Sequence, residues 1–302
     1  MQVILLYVTV VLIWGSTWFA IPYQLVDVAA ELSVAYRYAI ASLALYGYAL
    51  LVGQQLRLAR SAYPMVLAQG ALLFSINYLF VYYGIEYITS GLVAVLFSSI
   101  VICNAAFERL FFKTVIDKRL LIASAVGLAG ITMIFWPEVE VISVEDDTIV
   151  GIGFVIASVV IASLGNMTAI VNNAKRSLPI VAVNAHAMAF AALLSFVIAT
   201  LLGREIRFSF EPGYLISLAF LAIFGSAIAF GCYLALLKRI GSARAAYSSV
   251  LFPVVALAIS TFFEGYRWTA IAAVGIMLTL GGNWLILSGR TKTTKNTKGT
   301  NQ

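Results

Sequence analysis

Apolar stretches of about twenty residues alternate with short polar joints along almost the whole chain. A hydrocarbon layer about 30 Å thick is crossed by about 20 helical residues at 1.5 Å rise each. On that rule the pattern predicts ten spanning helices: Val3–Ile21, Leu32–Val52, Pro64–Ile85, Thr89–Phe107, Leu120–Trp136, Ile149–Val171, Ile180–Leu202, Tyr214–Leu237, Ala243–Phe263 and Trp268–Leu287. The joints are short, so the helices are expected to form one bundle. Val3–Ile21 reads as a span and not as a cleaved leader, because no basic stretch precedes it and no small-residue cleavage site lies before Pro22.

The polar positions inside the runs repeat. The stretch Phe74–Lys113 aligns without a gap on Gly225–Glu264, setting Ser75 on Ser226, Tyr82 on Tyr233 and Ser98 on Ser249. Phe111-Phe112 falls on Phe262-Phe263, and Gly130 on Gly281. The joints change sign between the copies. Glu86-Tyr87-Ile88 stands against Leu237-Lys238-Arg239, and Lys113 against Glu264. A membrane repeat inserted upside down would show that exchange. The expected division is therefore a first five-helix repeat over 1–137, an acidic external connector over 138–148, a second, inverted five-helix repeat over 149–288, and a basic, disordered cytoplasmic tail over 289–302 against anionic lipid heads.

Composition supports an all-α integral membrane protein. The chain is 62% hydrophobic and 11% charged, where soluble domains run near 45–50% apolar and about 25% charged. The net charge of +6 is a topology signal and not a nucleic-acid patch. The side that holds both termini carries fourteen basic residues, among them Arg57, Arg60, Lys118, Arg119, Lys175, Arg176 and Arg244, while the other carries Arg204, Arg207 and Arg267. Both termini are thus expected in the cytoplasm of a bacterial inner-membrane protein. Cys103 and Cys232 fall inside spans and suggest packing, not a disulfide.

Polar side chains within spans are the candidate chemistry, since lipid does not tolerate them unpaired. They include Trp14, Ser16 and Thr17 in the first span; Asn77, Tyr78 and Tyr82 in the third; Ser98, Ser99 and Asn104 in the fourth. The later spans add Asn166, Thr168, Cys232, Tyr233, Tyr247, Ser248 and Ser249. Helix-to-helix hydrogen bonding explains any one of them; the set points to a polar cavity near the midplane between the repeats. The candidate substrate-binding residues are Trp14, Ser16, Asn77, Tyr78, Tyr82, Ser98, Ser99, Asn166, Tyr233 and Tyr247. Arg37 reads either as a carboxylate anchor at the outer mouth or as a snorkelling partner of Glu31. Pro253 reads as a hinge or as an ordinary membrane-helix proline. His186 reads as a packing residue or a proton carrier, and Gly127, Gly130, Gly281 and Gly282 as a close helix contact or a dimer face.

Several motifs resemble one family. Trp14-Gly15-Ser16, Arg37-Tyr38, the turn from Tyr83 to Gly91, and Tyr247 through Pro253 with Glu264 resemble, in order and spacing, the ten-helix EamA-type members of the drug/metabolite transporter superfamily. The resemblance spans residues 3–287. It implies a transporter, because members export amino acids, other metabolites or toxic compounds. Two positions depart from the pattern: Ile102 stands where Pro253 does in the second copy, and Lys113 where Glu264 does. The fourth helix is therefore expected to lack a kink.

The expected function is secondary transport, by alternating access, of a small amphipathic molecule such as an amino acid or a toxic compound. Aromatic walls with a few amides and hydroxyls suit a neutral or zwitterionic cargo. The alternatives are a membrane-embedded enzyme acting on lipid and a non-transport membrane subunit. No span has a central Asp or Glu, and no Walker A, HExxH or GxSxG pattern occurs. No cofactor, metal or catalytic group is expected. The expected partners are the substrate and the bilayer, with a second copy of the chain as an option and no nucleic acid.

Overall fold

The computed structural model describes residues 2–136, 146–263 and 269–288. The connector residues 137–145, Glu264 and the tail 289–302 lie outside the described residues, so the expectations placed on them are not addressed. Among the described residues there are ten helical rods and no strand. In chain order they are α1 (Gln2–Ala20), α2 (Ala30–Leu51), α3 (Arg60–Tyr87), α4 (Ser90–Phe97, then Ile100–Phe112) and α5 (Lys118–Ile134). The second set is α6 (Asp146–Ala169 continued by Ile170–Lys175), α7 (Ile180–Leu201), α8 (Pro212–Ile240), α9 (Ser242–Ala246, Tyr247–Leu251 and Phe252–Phe263) and α10 (Ala270–Ser288). Eight segments of these rods are long and apolar enough to cross a membrane; Ala270–Ile286 of α10 is a shorter apolar helix, and α5 is 17 residues long. The helix α6 is described from Asp146 onward.

Three rods outrun their apolar windows. α3 and α8 each contain a π-helical turn, Gly70–Ile76 and Ile223–Ile228, and α6 ends in one, Ile170–Lys175. Each such turn inserts an extra residue into the i→i−4 ladder, which lengthens the rod and rotates the faces on either side of it. The turns in α3 and α8 fall in the aligned stretches.

The breaks in α4 and α9 are also paired. α4 is interrupted at Ser98-Ser99, although proline is absent there, and α9 tightens into a 3₁₀ stretch over Tyr247–Leu251 that includes Ser249. The expectation of an unkinked fourth helix is thereby corrected. The reason is local. Ser99 donates its hydroxyl to the Leu96 carbonyl at 2.6 Å, so a side chain competes for the backbone ladder. Pro253 sits in the first turn of Phe252–Phe263, where a missing N–H costs nothing. It starts a helix after the break and does not interrupt one.

The main contacts between rods recur when each rod is exchanged for its counterpart five further on. α2 packs on α7 and α5 on α10; α1 packs on α8 and α9 as α6 packs on α3 and α4. The pairs expected to match, Tyr82 with Tyr233, Ser98 with Ser249 and Ser75 with Ser226, are all buried. The α5–α10 contact is backbone to backbone. A Cβ on Gly130 would stand 2.5 Å from the Gly275 carbonyl oxygen, and one on Gly275 would stand 2.5 Å from that of Gly130. Gly127, Gly130 and Gly282 therefore serve a contact within one chain, while a Cβ at Gly281 meets nothing within 4 Å. Cys103 and Cys232 are both free.

Candidate functional site

The six rods α1, α3, α4, α6, α8 and α9, three from each half, enclose a cavity at the centre of the bundle. Trp14, Thr17 and Trp18 of α1, Ile21 just past its end, and Leu73, Asn77, Tyr78 and Val81 of α3 form one wall. Ala162 and Asn166 of α6 face Phe230 and Tyr233 of α8, and the broken rods close the ring with Phe97 and Ile100 of α4 and Ala246, Ser248, Ser249 and Phe252 of α9. Both breaks thus lie on the cavity. A broken helix brings short turns and polar backbone to a site in the hydrocarbon layer, which is tolerated only where the turn is buried or lines a cavity.

The walls are aromatic. Trp14 packs edge-on against Phe230 at 4.7 Å and Phe252 at 5.7 Å, with Tyr233 tilted at 5.1 Å. The Trp14 indole N–H is fixed by the Gly225 carbonyl at 2.8 Å, so the ring is held in place. As it stands the cavity measures about 80 Å³. That is room for several waters and far below the roughly 300–1,000 Å³ of drug-sized sites.

Two asparagines carry the polar chemistry of the walls. Asn77 accepts from the Ser158 hydroxyl at 2.8 Å and donates to the Leu73 carbonyl at 3.3 Å. Asn166 donates to Asn104 Oδ1 at 3.3 Å, and its own Oδ1 has no hydrogen-bond partner. Asn104 also takes the Ser163 hydroxyl at 2.7 Å and donates to the Ser242 carbonyl at 3.4 Å. Glu108, one turn further along α4, accepts the Ser242 N–H at 2.7 Å together with its hydroxyl. Asn104, Glu108, Ser163, Asn166 and Ser242 form a polar knot that ties α4, α6 and the start of α9 together at one end of the cavity. Trp18 and Ile21 line the opposite end.

Of the residues expected from sequence to line the cavity, Trp14, Asn77, Tyr78, Asn166 and Tyr233 do so. Ser16 turns its hydroxyl back to Leu12 and Ile13 carbonyls at 2.9 and 2.8 Å. Ser98 and Ser99 make the break beside the cavity without lining it. Tyr247 donates to the Ala123 carbonyl at 2.7 Å and anchors α9 to α5. Tyr82 lies behind the wall, against Arg37. His186 is likewise away from the cavity, between the rings of Tyr46 and Tyr63 at 5.4 and 5.5 Å.

Arg37 does not stand at a mouth. It is 1% exposed, inside the bundle between α2, α3 and α8. The acid expected beside it is engaged elsewhere: Glu31 Oε1 accepts from Tyr83 at 2.6 Å and pairs with Arg204 at 3.1 Å. That carboxylate holds the half-exposed Arg204 guanidinium still more firmly protonated. Sequence reading missed Trp18, Leu73, Val81, Phe97, Ile100, Phe230 and Phe252. They are apolar residues in apolar spans, and hydropathy alone does not separate a cavity wall from a lipid-facing one.

The family profile of the EamA-like transporters matches twice, over residues 1–136 and 149–288. The chain belongs to the EamA-like transporter family. EamA-type repeats thus account for both halves, and the protein is a membrane transporter of that family. The "Uncharacterized inner membrane transporter YedA" of Escherichia coli K12 is 25% identical over 281 residues, covering 89% of this chain and 88% of its own. The proteins of that name in strains O6:H1 and O157:H7 match equally. A crystal structure, described simply as that of a protein, superposes with a TM-score of 0.78 at 17% identity, over 93% of this chain and 94% of its own. That likeness supports the fold.

Proposed function

We propose that the protein is a secondary transporter of the bacterial inner membrane that exports a small amphipathic metabolite by alternating exposure of the central cavity. The observation that carries the reading is the cavity itself, built jointly by three rods of each repeat. Relative movement of the repeats must change its access. Buried amides in hydrocarbon cost several kcal/mol if unpaired, and the unmatched Asn166 Oδ1 is a cost that water or a cargo removes. The aromatic walls supply stacking surface for an apolar body.

The second repeat runs antiparallel to the first, with both termini cytoplasmic. An odd number of spans per repeat and the excess of basic residues on one side support this arrangement. In that frame the polar knot at Asn104, Glu108 and Ser242 is the inner gate, closed here. The relatives from Escherichia coli, named as inner membrane transporters, support the location.

Purified full-length protein in proteoliposomes tests the reading by counterflow of a metabolite panel, alongside mass spectrometry of the medium of an overexpressing strain. Saturable exchange of at least one compound, reduced in Asn77→Ala and Asn166→Ala per folded molecule, is the expected result. Equal loss of flux and of folded protein in both variants would make the asparagines helix glue, and no exchange of any compound would contradict transport.

A further inference from the structure

We propose that the cargo carries a carboxylate, and that Arg37, stored behind Tyr78 and Gly225, is the group that binds it. The proposal rests on the central cavity being the transport site.

Arg37 keeps its charge in any environment, yet it is 1% exposed. Its Nε donates to the Ser226 hydroxyl at 2.8 Å. The guanidinium carbon stands 4.5 Å from the centre of the Tyr78 ring and 5.4 Å from that of Tyr38. The Tyr82 hydroxyl lies against it, and Arg37 Nη1 has no hydrogen-bond partner. Among the described residues no carboxylate pairs with it; the two ion pairs there are Arg204–Glu31 and Arg244–Asp117. A buried cation costs several kcal/mol even after the protein relaxes. A desolvated ring face returns only part of that cost. The charge is therefore incompletely compensated, and the planar fork that best suits a carboxylate is still available.

The guanidinium is separated from the cavity by very little. Tyr78 lines the cavity with one side and meets Arg37 with the other. Beside it stands Gly225, whose carbonyl holds the indole of the cavity residue Trp14. A Cβ on Gly225 would stand 3.1 Å from Thr17 Cγ2, a cavity residue, and 3.5 Å from Arg37 Nη2. Gly225 belongs to the π-helical turn Ile223–Ile228, a ladder defect that shifts register more readily than regular helix. A carboxylate entering from the cavity has to displace one tyrosine ring to meet the fork. The rest of the cargo then lies on the aromatic walls, and an ammonium, where present, has the free Asn166 Oδ1 to donate to.

Matched pairs of small molecules test this without relying on a variant. Thermal stabilisation of the purified full chain, and counterflow in proteoliposomes, are measured with L-phenylalanine and L-leucine against their amides, and with 3-phenylpropanoate. The expected result is a preference for the acids of at least about tenfold, because a site built for a hydrogen-bonded group rejects the analogue lacking it. Arg37→Lys, which keeps the charge but loses the fork, should elute as a folded monodisperse protein and bring the ratio close to one. Gly225→Ala should weaken the acids selectively.

Equal binding of acids and amides by the wild type, binding of neither, or an unchanged ratio in Arg37→Lys would each overturn the proposal. Exchange of neutral cargo without acid preference would overturn it and leave the transporter reading standing. Acid-dependent stabilisation without any exchange would do the reverse.

Discussion

Ser75 and Ser226 occupy the same position in the two repeats, each inside a π-helical turn, and each reaches across to the counterpart of the other's partner helix. Ser75 on α3 meets the Ser195 hydroxyl on α7 at 2.8 Å, while Ser226 on α8 meets Arg37 on α2. α2 and α7 are both 22 residues long and both close into a left-handed glycine, Gly53 at φ +65° and Gly203 at φ +67°. That correspondence sets Arg37 opposite Ala187. On the α3–α7 side the Ala187 carbonyl lies against the Cβ position of Gly70, so the helices touch through backbone. On the α2–α8 side the Arg37 guanidinium stands between the helices, facing Gly225 and the rings of Tyr38 and Tyr78. The difference teaches a division of labour. The duplicated features, the π-helical turns, the cross-helix serines and the broken α4 and α9, belong to the scaffold that moves. The unduplicated one, a buried cation behind the cavity wall, belongs to what is recognised.

The strongest way to break this comparison is to make the two junctions alike. Ala187→Arg places a charge at a fully buried position where the helices already touch through backbone, and we expect little or no monodisperse protein on size exclusion after mild extraction. Next comes Gly130→Leu at the α5–α10 contact, where the backbones already touch. Overpacking of that kind costs about 1–3 kcal/mol, read as a fall in Tm with substrate preference unchanged, since neither helix lines the cavity.

Ser75→Ala and Ser226→Ala form a matched pair. Each should lose about 1 kcal/mol of stability, but only Ser226→Ala should alter the acid-to-amide ratio, because it releases Arg37 Nε. Equal effects on selectivity would erase the distinction drawn between the junctions. The smallest effect is expected for Lys175→Ala. Its ammonium sits 3.6 Å over the Phe112 ring at a solvent-facing end, and exposed pairs of this kind are worth about 0.5–1 kcal/mol, with no change in flux.

Much of this was legible in the chain. Ten apolar runs located ten rods because burial in lipid leaves little freedom in composition. The alignment set Ser98 on Ser249, and the structure breaks α4 at the first and tightens α9 at the second; the sequence did not show the break in α4, because the absence of proline at Ile102 argued against it. Three things were hidden. The π-helical turns add a residue without changing hydropathy, so the extents of α3, α6 and α8 were underestimated. Arg37 and Glu31 are close in sequence, and proximity suggested a pair; instead Tyr83 and Arg204 take the carboxylate. The tyrosines pointed inward, but hydropathy could not say to what: Tyr233 lines the cavity, Tyr82 serves Arg37 and Tyr247 ties α9 to α5.

The central claim is that cargo passes through the cavity shared by the two repeats. It is tested most directly by a single thiol there, Ser249→Cys, in a background with Cys103 and Cys232 replaced by serine. Membrane-impermeant thiol reagents are applied from one face or the other of oriented vesicles while exchange is measured. The account predicts labelling from both faces, slowed by bound cargo, and loss of nearly all exchange once the thiol is modified. Labelled protein that exchanges at the unlabelled rate, or a thiol reachable from neither face in a protein that transports, would contradict it.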